Sequence, residues 1–327
     1  MSLLTKLNRK AQTENESGLG ANSALTGGRF FNKNGVPNME VRGRSLRYRK
    51  NIYHSLLTMK GWKFALAIIL FFVSINLIFA GIYLGIGIEH LDGMVVKDPL
   101  EKFGEAFFFS AQTFTTVGYG RINPVGFLAS AIASLEALIG LLSFALMTGL
   151  LYGRFARPRA FIQYSKNLLF VPHKGGTAVM YRMVPYTKNY LVNLEVKLTL
   201  AMRVTEDGVM KTRFFNIPLE ISKAATLIQN WTLVHMINEE SPFYGLSKKD
   251  LVNAEAEVLV FVQGFDESFS STVISRNSYI TEEFVYGAKF LPMYNPSPNG
   301  TSTVLHLDKL DLYEQAALTA DESLGGE

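Results

Sequence analysis

The sequence predicts a membrane α-helical part followed by an all-β domain, and three observations carry that reading. Phe64 to Ile88 has no charged residue and Val125 to Gly153 has one, Glu136. At about 1.5 Å per residue each run exceeds the ~30 Å hydrocarbon core, so spans are expected over 62–88 and 125–153. Between them lies an apolar segment too short to cross, which ends in the glycine-containing string Thr115-Thr116-Val117-Gly118-Tyr119-Gly120. After Pro158 the texture changes to period-two alternation, clearest over 190–205, where Val192, Leu194, Val196, Leu198, Leu200 and Met202 share one face. Many short strand-like runs without intervening helical periods predict a β-sandwich over 158–312.

The first apolar run reads as a retained span and not a cleaved leader, because about sixty residues precede it and it is longer than a leader's apolar core of about 7 to 15. Up to Lys60 there are 11 Lys/Arg against 3 Asp/Glu, and Arg154, Arg157 and Arg159 follow the second run. The positive-inside rule therefore puts both termini in the cytoplasm of a cell inner (plasma) membrane. Beyond Lys60 the chain holds 21 basic and 25 acidic residues, so its net +4 belongs to the membrane flanks and no nucleic-acid surface is expected. The absence of cysteine fits a mass that uses no disulfides.

Residues 1–45 read as an arm with a short strand near 29–41, turned at Asn34-Gly35, that pairs with the C-terminal part. Residues 46–60 place Ile52, Tyr53, Leu56 and Leu57 on one helical face behind Arg47, Arg49 and Lys50, the pattern of a helix lying in the inner interface. Asp98-Pro99 starts a half-length helix over 99–114, which reads as re-entrant within a pore domain of 61–157. In the β domain the expected strands are 231–237, 257–263, 270–280 and 283–291, with a helix over 247–256 and a frayed tail over 313–327. His235 reads as a core residue and not as a metal ligand.

The string at 115–120 has no side chain for acid–base or metal chemistry. At membrane depth, irregular backbone is tolerated only where it is buried in protein or lines a water-filled path. Glycine permits the dihedrals that turn successive carbonyls to one side, and carbonyls facing one axis replace a cation's hydration shell when several chains contribute. The string TVGYG lines potassium-selective filters, so K+ is identified from the string as well as argued from its backbone. The preceding helix would direct its negative C-terminal end toward the ion.

The chain resembles the prokaryotic branch of the inward-rectifier potassium channels over nearly its whole length. The segments that carry the resemblance are FFFSAQTFTTVGYG, LEAL, YGRFARPRA, HMINEESPFYGLSKKDL, SRNSYITEEFVYG and RFFNKNGVPN. The resemblance implies a homotetramer, an interfacial slide helix, a cytoplasmic immunoglobulin-like domain, regulation by anionic phospholipids, and polyamine or divalent-cation blockers. It also shows departures. Animal members have a glutamate behind the filter where this chain has Gln112, and an acid in the inner helix where it has Phe144. Without a carboxylate there the cavity attracts polycations less, and weak rectification is expected. Asp207 resembles an acid of the cytoplasmic pore, or is an ordinary hairpin acid.

Phe144, Thr148 and Tyr152 recur at four-residue spacing on one stripe; by family position Phe144 and Tyr152 face the pore, and a ring of Tyr152 would close it. Gly149 matches a family hinge. Glu136, costly in lipid, should point into protein, either near the filter's rear, compensating for Gln112, or in a structural hydrogen bond to the half-length helix. Arg47, Arg49, Lys50, Arg154, Arg157 and Arg159 would meet anionic head groups at the inner leaflet. No cofactor is expected, K+ being the permeant ion, and no nucleophile, metal cluster or phosphate loop suggests an enzyme. The alternative from a different class is a membrane-anchored β-sandwich scaffold or adhesion protein, which would have no need of the re-entrant helix and its string.

Overall fold

The computed structural model describes residues 8, 10–13, 29–33, 35–40, 42–43, 52–95, 98–187, 191–206 and 209–318. They form two compact units, residues 42–157 and a second made of 1–41 with 158–327. Arg47, Arg49, Lys50 and Asp207 lie outside the described residues, as does the part of the interfacial helix before Ile52.

The first unit holds α1 (Ile52–Thr58), α2 (Gly61–Ile86), α3 (Pro99–Phe114) and α4 (Phe127–Phe155). With 26 and 29 residues, α2 and α4 are long and apolar enough to cross a membrane. Their outer faces stay apolar, with Ile69, Leu70 and Ile78 on α2 and Leu138, Leu142 and Leu146 on α4 exposed. Only lipid or an apolar partner covers such a surface without cost. The start of α3 follows the sequence signals: Pro99 occupies the first turn and the Asp98 carboxylate accepts the Leu100 amide at 3.1 Å. Its buried side, Ala106 and Phe109, packs with Phe79, Ala80 and Tyr83 of α2 and Ala133 of α4. Short strands β1 (Leu91–Asp92) and β2 (Asn123–Pro124) pair antiparallel and join the exit of α2 to the segment after the TTVGYG string.

The second unit is a sandwich of two five-stranded sheets. Its strands are β3 (Ile162–Tyr164), β4 (Leu168–His173), β5 (Gly176–Pro185), β6 (Leu191–Glu206), β7 (Val209–Ile217), β8 (Lys223–Leu227), β9 (Trp231–Met236), β10 (Glu257–Asp266), β11 (Ser271–Ile280) and β12 (Phe284–Tyr286). One sheet runs β11-β10-β6-β7 with β8 on β6, the other β12-β4-β5-β3 with β9 on β5. Leu194, Val196, Leu198, Leu200 and Met202 of β6 face Phe170, Val179, Tyr181 and Met183 across one core.

The alternation read from the sequence holds from Leu194 onward and fails before it. Asn193 takes φ 49°, the partner register shifts between Gln263 and Phe265, and Leu191 is buried while Val192 is only half-buried. A bulge at Asn193 inverts which residues face inward. The expected strand 283–291 breaks at Gly287 (φ 68°) into β12 and an edge strand Ala288–Phe290. That edge strand pairs with Tyr313–Gln315, so the tail expected to fray begins inside a ladder. The expected helix is α5 (Lys248–Asn253), started by a reciprocal Ser247–Asp250 capping box.

The N-terminal arm docks on the sandwich, though as a turn and not the expected strand. Phe31 and Pro37 form an isolated bridge around Gly35, while Phe30 and Phe31 cover Ala201, Phe214 and Leu259. The Phe30 amide donates to both oxygens of the buried Glu257 carboxylate at 2.8 and 3.0 Å, and Arg29 pairs with Glu283 at 3.0 Å. Burial raises the Glu257 carboxyl above its ordinary range. His235, 1% exposed, is a core residue. Its Nδ1 lies 2.6 Å from the Pro218 carbonyl and its Nε2 2.7 Å from Ser241 Oγ. A carbonyl only accepts, so Nδ1 carries the proton and Nε2 accepts from Ser241.

Candidate functional site

The last turn of α3 and the string that follows form one hydrogen-bonded piece. The amide of Thr116 donates to the Thr113 carbonyl at 3.0 Å, and the amides of Val117 and Gly118 donate to the Gln112 carbonyl at 2.9 and 3.3 Å. The segment thus spends its donors on the helix end, which leaves the opposite groups free. Among the described residues no hydrogen bond reaches the carbonyls of Thr115, Thr116, Val117, Gly118 or Tyr119. Positive φ values alternate along it, 59° at Thr116, 50° at Gly118 and 80° at Gly120. A chain whose φ alternates in sign turns successive carbonyls to the same side, as the glycines suggested. Thr116 was not foreseen: a β-branched residue at positive φ is strained, and no composition signal announces it.

The outer end of the string is held from several directions. Asn123 Nδ2 donates to the Gly120 carbonyl at 3.0 Å, and Val125 N donates to His90 O at 2.8 Å beside the β1–β2 ladder. Gly93 (φ 90°) lies so close to the Arg121 carbonyl that a β-carbon would sit 1.9 Å from its oxygen. The Arg121 guanidinium meets Glu105 Oε1 of α3 at 2.7 Å.

Glu136 is fully buried, pointing into protein as its cost in lipid requires. Its carboxylate accepts from Tyr83 Oη at 2.6 Å and makes a short hydrogen bond with Ser110 Oγ. Ser110 also reaches Asn76 Oδ1 at 2.9 Å, and Asn76 Nδ2 donates to the Phe72 carbonyl at 2.6 Å. These contacts tie both long helices to the middle of α3. Gln112 is not among the partners of Glu136, and the hydrogen bond to the half-length helix is made through Ser110. Tyr83, Ser110, Asn76, Glu105, Arg121 and Asn123 were missed in the sequence; only the intramembrane polarity of Asn76 could have flagged one of them.

Further along α4, Phe144, Thr148 and Tyr152 share an exposed stripe, with Phe144 71% and Tyr152 75% exposed. A cavity of about 550 Å3 brings Phe144 together with Thr115 and Thr116, lined also by Phe114, Gly140 and Ser143. A β-carbon at Gly149 would meet nothing within 4 Å, whereas Gly140 touches the α3 end. Arg154 is committed within its own unit: its guanidinium donates to the carbonyls of Leu56 (3.1 Å) and Met59 and lies 5.1 Å from the Phe64 ring centre. It thereby caps the end of α1. Arg157 and Arg159 follow α4 on either side of the boundary between the two units.

Comparison with known proteins agrees with this arrangement. Residues 66–156 match the "Ion channel" family and 162–320 match "Inward rectifier potassium channel C-terminal domain". Inward rectifier potassium channel Kirbac3.1 of Paramagnetospirillum magnetotacticum is 31% identical over 274 residues, covering 83% of this chain and 91% of that protein. ATP-sensitive inward rectifier potassium channel 12 of Bos taurus is 28% identical over 291 residues, covering 81% and 67%, and inward rectifier potassium channel 18 of Homo sapiens is 28% identical, covering 81% and 66%. Two apolar helices, a half-length helix with its TTVGYG string and an all-β domain, matched over most of both chains by Kirbac3.1, make this chain a member of the inward-rectifier potassium channel family.

Proposed function

We propose that four copies of this chain surround one axis in a cell inner membrane and conduct K+ through the carbonyls of Thr115 to Tyr119, both termini lying in the cytoplasm. The observation that carries this reading is the division of labour in that segment: the amides of Thr115 to Gly118 are spent on the α3 end, while among the described residues no donor reaches the carbonyls of Thr115 to Tyr119. Glu136 supports the filter through Ser110 and α3, and the Gln112 carbonyl anchors Val117 and Gly118.

The gate is assigned to a ring of Tyr152 below Phe144 and Thr148, with bending at Gly149, whose surroundings in the chain are open. Rectification is weak because Phe144 offers polyamines and divalent cations no carboxylate; Asp207 adds little in the cytoplasmic pore. Anionic phospholipid head groups are recognised by Arg47, Arg49, Lys50, Arg157 and Arg159, the basic residues that flank the membrane part in the sequence; Arg154 holds the end of α1.

Uptake of rubidium into proteoliposomes loaded with K+ tests the central claim. Expected are uptake blocked by barium, exclusion of Na+, and loss of both in Gly118→Ala, whose β-carbon opposes φ 50°. Equal permeation of Na+, or an unaffected Gly118→Ala channel, would overturn it.

A further inference from the structure

We infer that the free edge of β7 and the turn before Ser241 form a peptide-docking groove, and that this chain's own residues Asn8 to Thr13 are its resident ligand, held in cis. Among the described residues β7 is the last strand of its sheet, so one row of its backbone groups faces away from β6. Thr13 forms an antiparallel bridge with Phe215, and the Asn216 amide donates to the Gln12 carbonyl at 2.9 Å. The segment thus adds to a sheet edge through its main chain, as an extended peptide does in β-strand addition. This contact lies upstream of the turn around Gly35 and outside both regions that match known families.

Side chains give the groove its specificity. Both N–H groups of the Asn8 amide are used, donating to the carbonyls of Glu239 at 2.6 Å and Ser241 at 2.9 Å, while its Oδ1 accepts the Lys10 amide at 3.0 Å. A carboxylate of the same shape would oppose two carbonyl oxygens, so the groove takes Asn and rejects Asp. Lys10 pairs with Glu239 at 2.5 Å, and the small Ala11 packs against the sandwich core. The receiving turn is preformed: the Ser241 amide donates to the Asn238 carbonyl at 2.9 Å, and Ser241 Oγ is held by the buried His235. The ligand that fits is an extended peptide with Asn, a basic residue two positions on and a small residue after it.

The arm returns to the same strand. Phe30 meets Phe214, the neighbour of Phe215, with ring centres 5.5 Å apart. Only residues 14–29 separate the two anchors. Closing a loop of that length costs little, and the linkage holds the segment at an effective concentration on the order of mM, which favours the chain's own segment over that of a second copy. The contacts themselves are few. The partners of the ion pair are 64% and 69% exposed, so the pair contributes little, and the apolar anchor is one alanine. The segment is therefore kept in place by its linkage and exchanges with a free peptide.

A fluorescent peptide of residues 1–13, titrated against the purified protein in detergent, tests the groove. It should bind the chain lacking residues 1–13 at least about tenfold more tightly than the full-length chain, whose groove is filled, and the Asn8→Asp peptide should bind the truncated chain at least about tenfold more weakly. Equal binding to both chains, no saturable binding to a truncated chain that melts as a folded protein, or an equally tight Asn8→Asp peptide overturns the proposal. Should the truncated chain fail to fold, the full-length Asn8→Asp chain decides: with its own segment released it must bind the wild-type peptide about tenfold better than wild type does, and equal binding refutes the docking. Occupancy in cis is read separately. The chain has no cysteine, so a short bismaleimide joins Lys10→Cys/Glu239→Cys only where those two positions meet. Denaturing gels and peptide mapping should show the cross-link within a single chain. Bands of two or more chain masses would give the groove to a second copy and overturn the cis assignment, and absence of any cross-link would refute the contact.

Discussion

A β-carbon at Gly140 would lie 2.0 Å from the carbonyl oxygen of Phe114, the last residue of α3. α4 and the end of α3 are thus in backbone contact directly before the TTVGYG string, and only hydrogen fits between them. Gly140→Ala must push α3 away, at the ~1–3 kcal/mol that overpacking costs. The expected result is a lower melting temperature and reduced barium-sensitive flux; an Ala variant with wild-type flux would show that the contact relaxes freely.

Glu136 and Tyr83, 53 residues apart, share a buried hydrogen bond of 2.6 Å. Tyr83→Phe removes the donor and leaves a carboxylate oxygen unsatisfied, a loss of about 1–3 kcal/mol. Glu136→Gln keeps an acceptor for Tyr83 and supplies a donor for Ser110, so it should retain K+ selectivity. Thermal melts together with ion competition check both; a collapse of selectivity in Glu136→Gln would assign the carboxyl a charge role at the filter.

Burial pulls the His235 imidazole down from 6.5 to about 4. Protons therefore bind the unfolded chain in preference to the sandwich. The stability this histidine contributes is complete above pH 6.5 and falls by up to about 3 kcal/mol as pH drops from 6.5 through 4. Denaturant melts followed by Trp231 fluorescence at pH 7.5 and 5 should show the loss, and His235→Asn should flatten the slope. A slope unchanged in the variant would move its origin elsewhere.

Phe144 stands in the cavity below Thr115 and Thr116. Wild-type currents should show shallow block by internal spermine, and Phe144→Glu should make it steep by returning a carboxylate to a low-dielectric cavity. Strong wild-type rectification would place the blocking acids outside α4.

Tyr152 is 75% exposed in the single chain, available to meet its copies. Tyr152→Ala should raise closed-state leak several-fold by widening and wetting the constriction. Unchanged leak would relocate the gate.

Much of this molecule was legible in linear order because the signals are local. Uncharged length marks a span, Asp98-Pro99 starts a helix, Ser247 and Asp250 cap another, and Gly118 and Gly120 announce positive φ; each involves residues within a few positions of one another. Tertiary structure decided what distant groups do together. Thr116 takes positive φ because the Gln112 and Thr113 carbonyls draw in the amides around it. Asn193 bulges because its neighbours on β6 must match β8 and β10 at once. Glu136 was legible as an acid that must find protein, but its choice of Tyr83 and Ser110 over Gln112 depends on how α2, α3 and α4 cross. Glu105 and Arg121 look like ordinary surface charges until the loop after the TTVGYG string folds back and pairs them. Local propensity acts through the backbone of adjacent residues, whereas partner choice follows from helix packing and chain return, which no window of sequence contains.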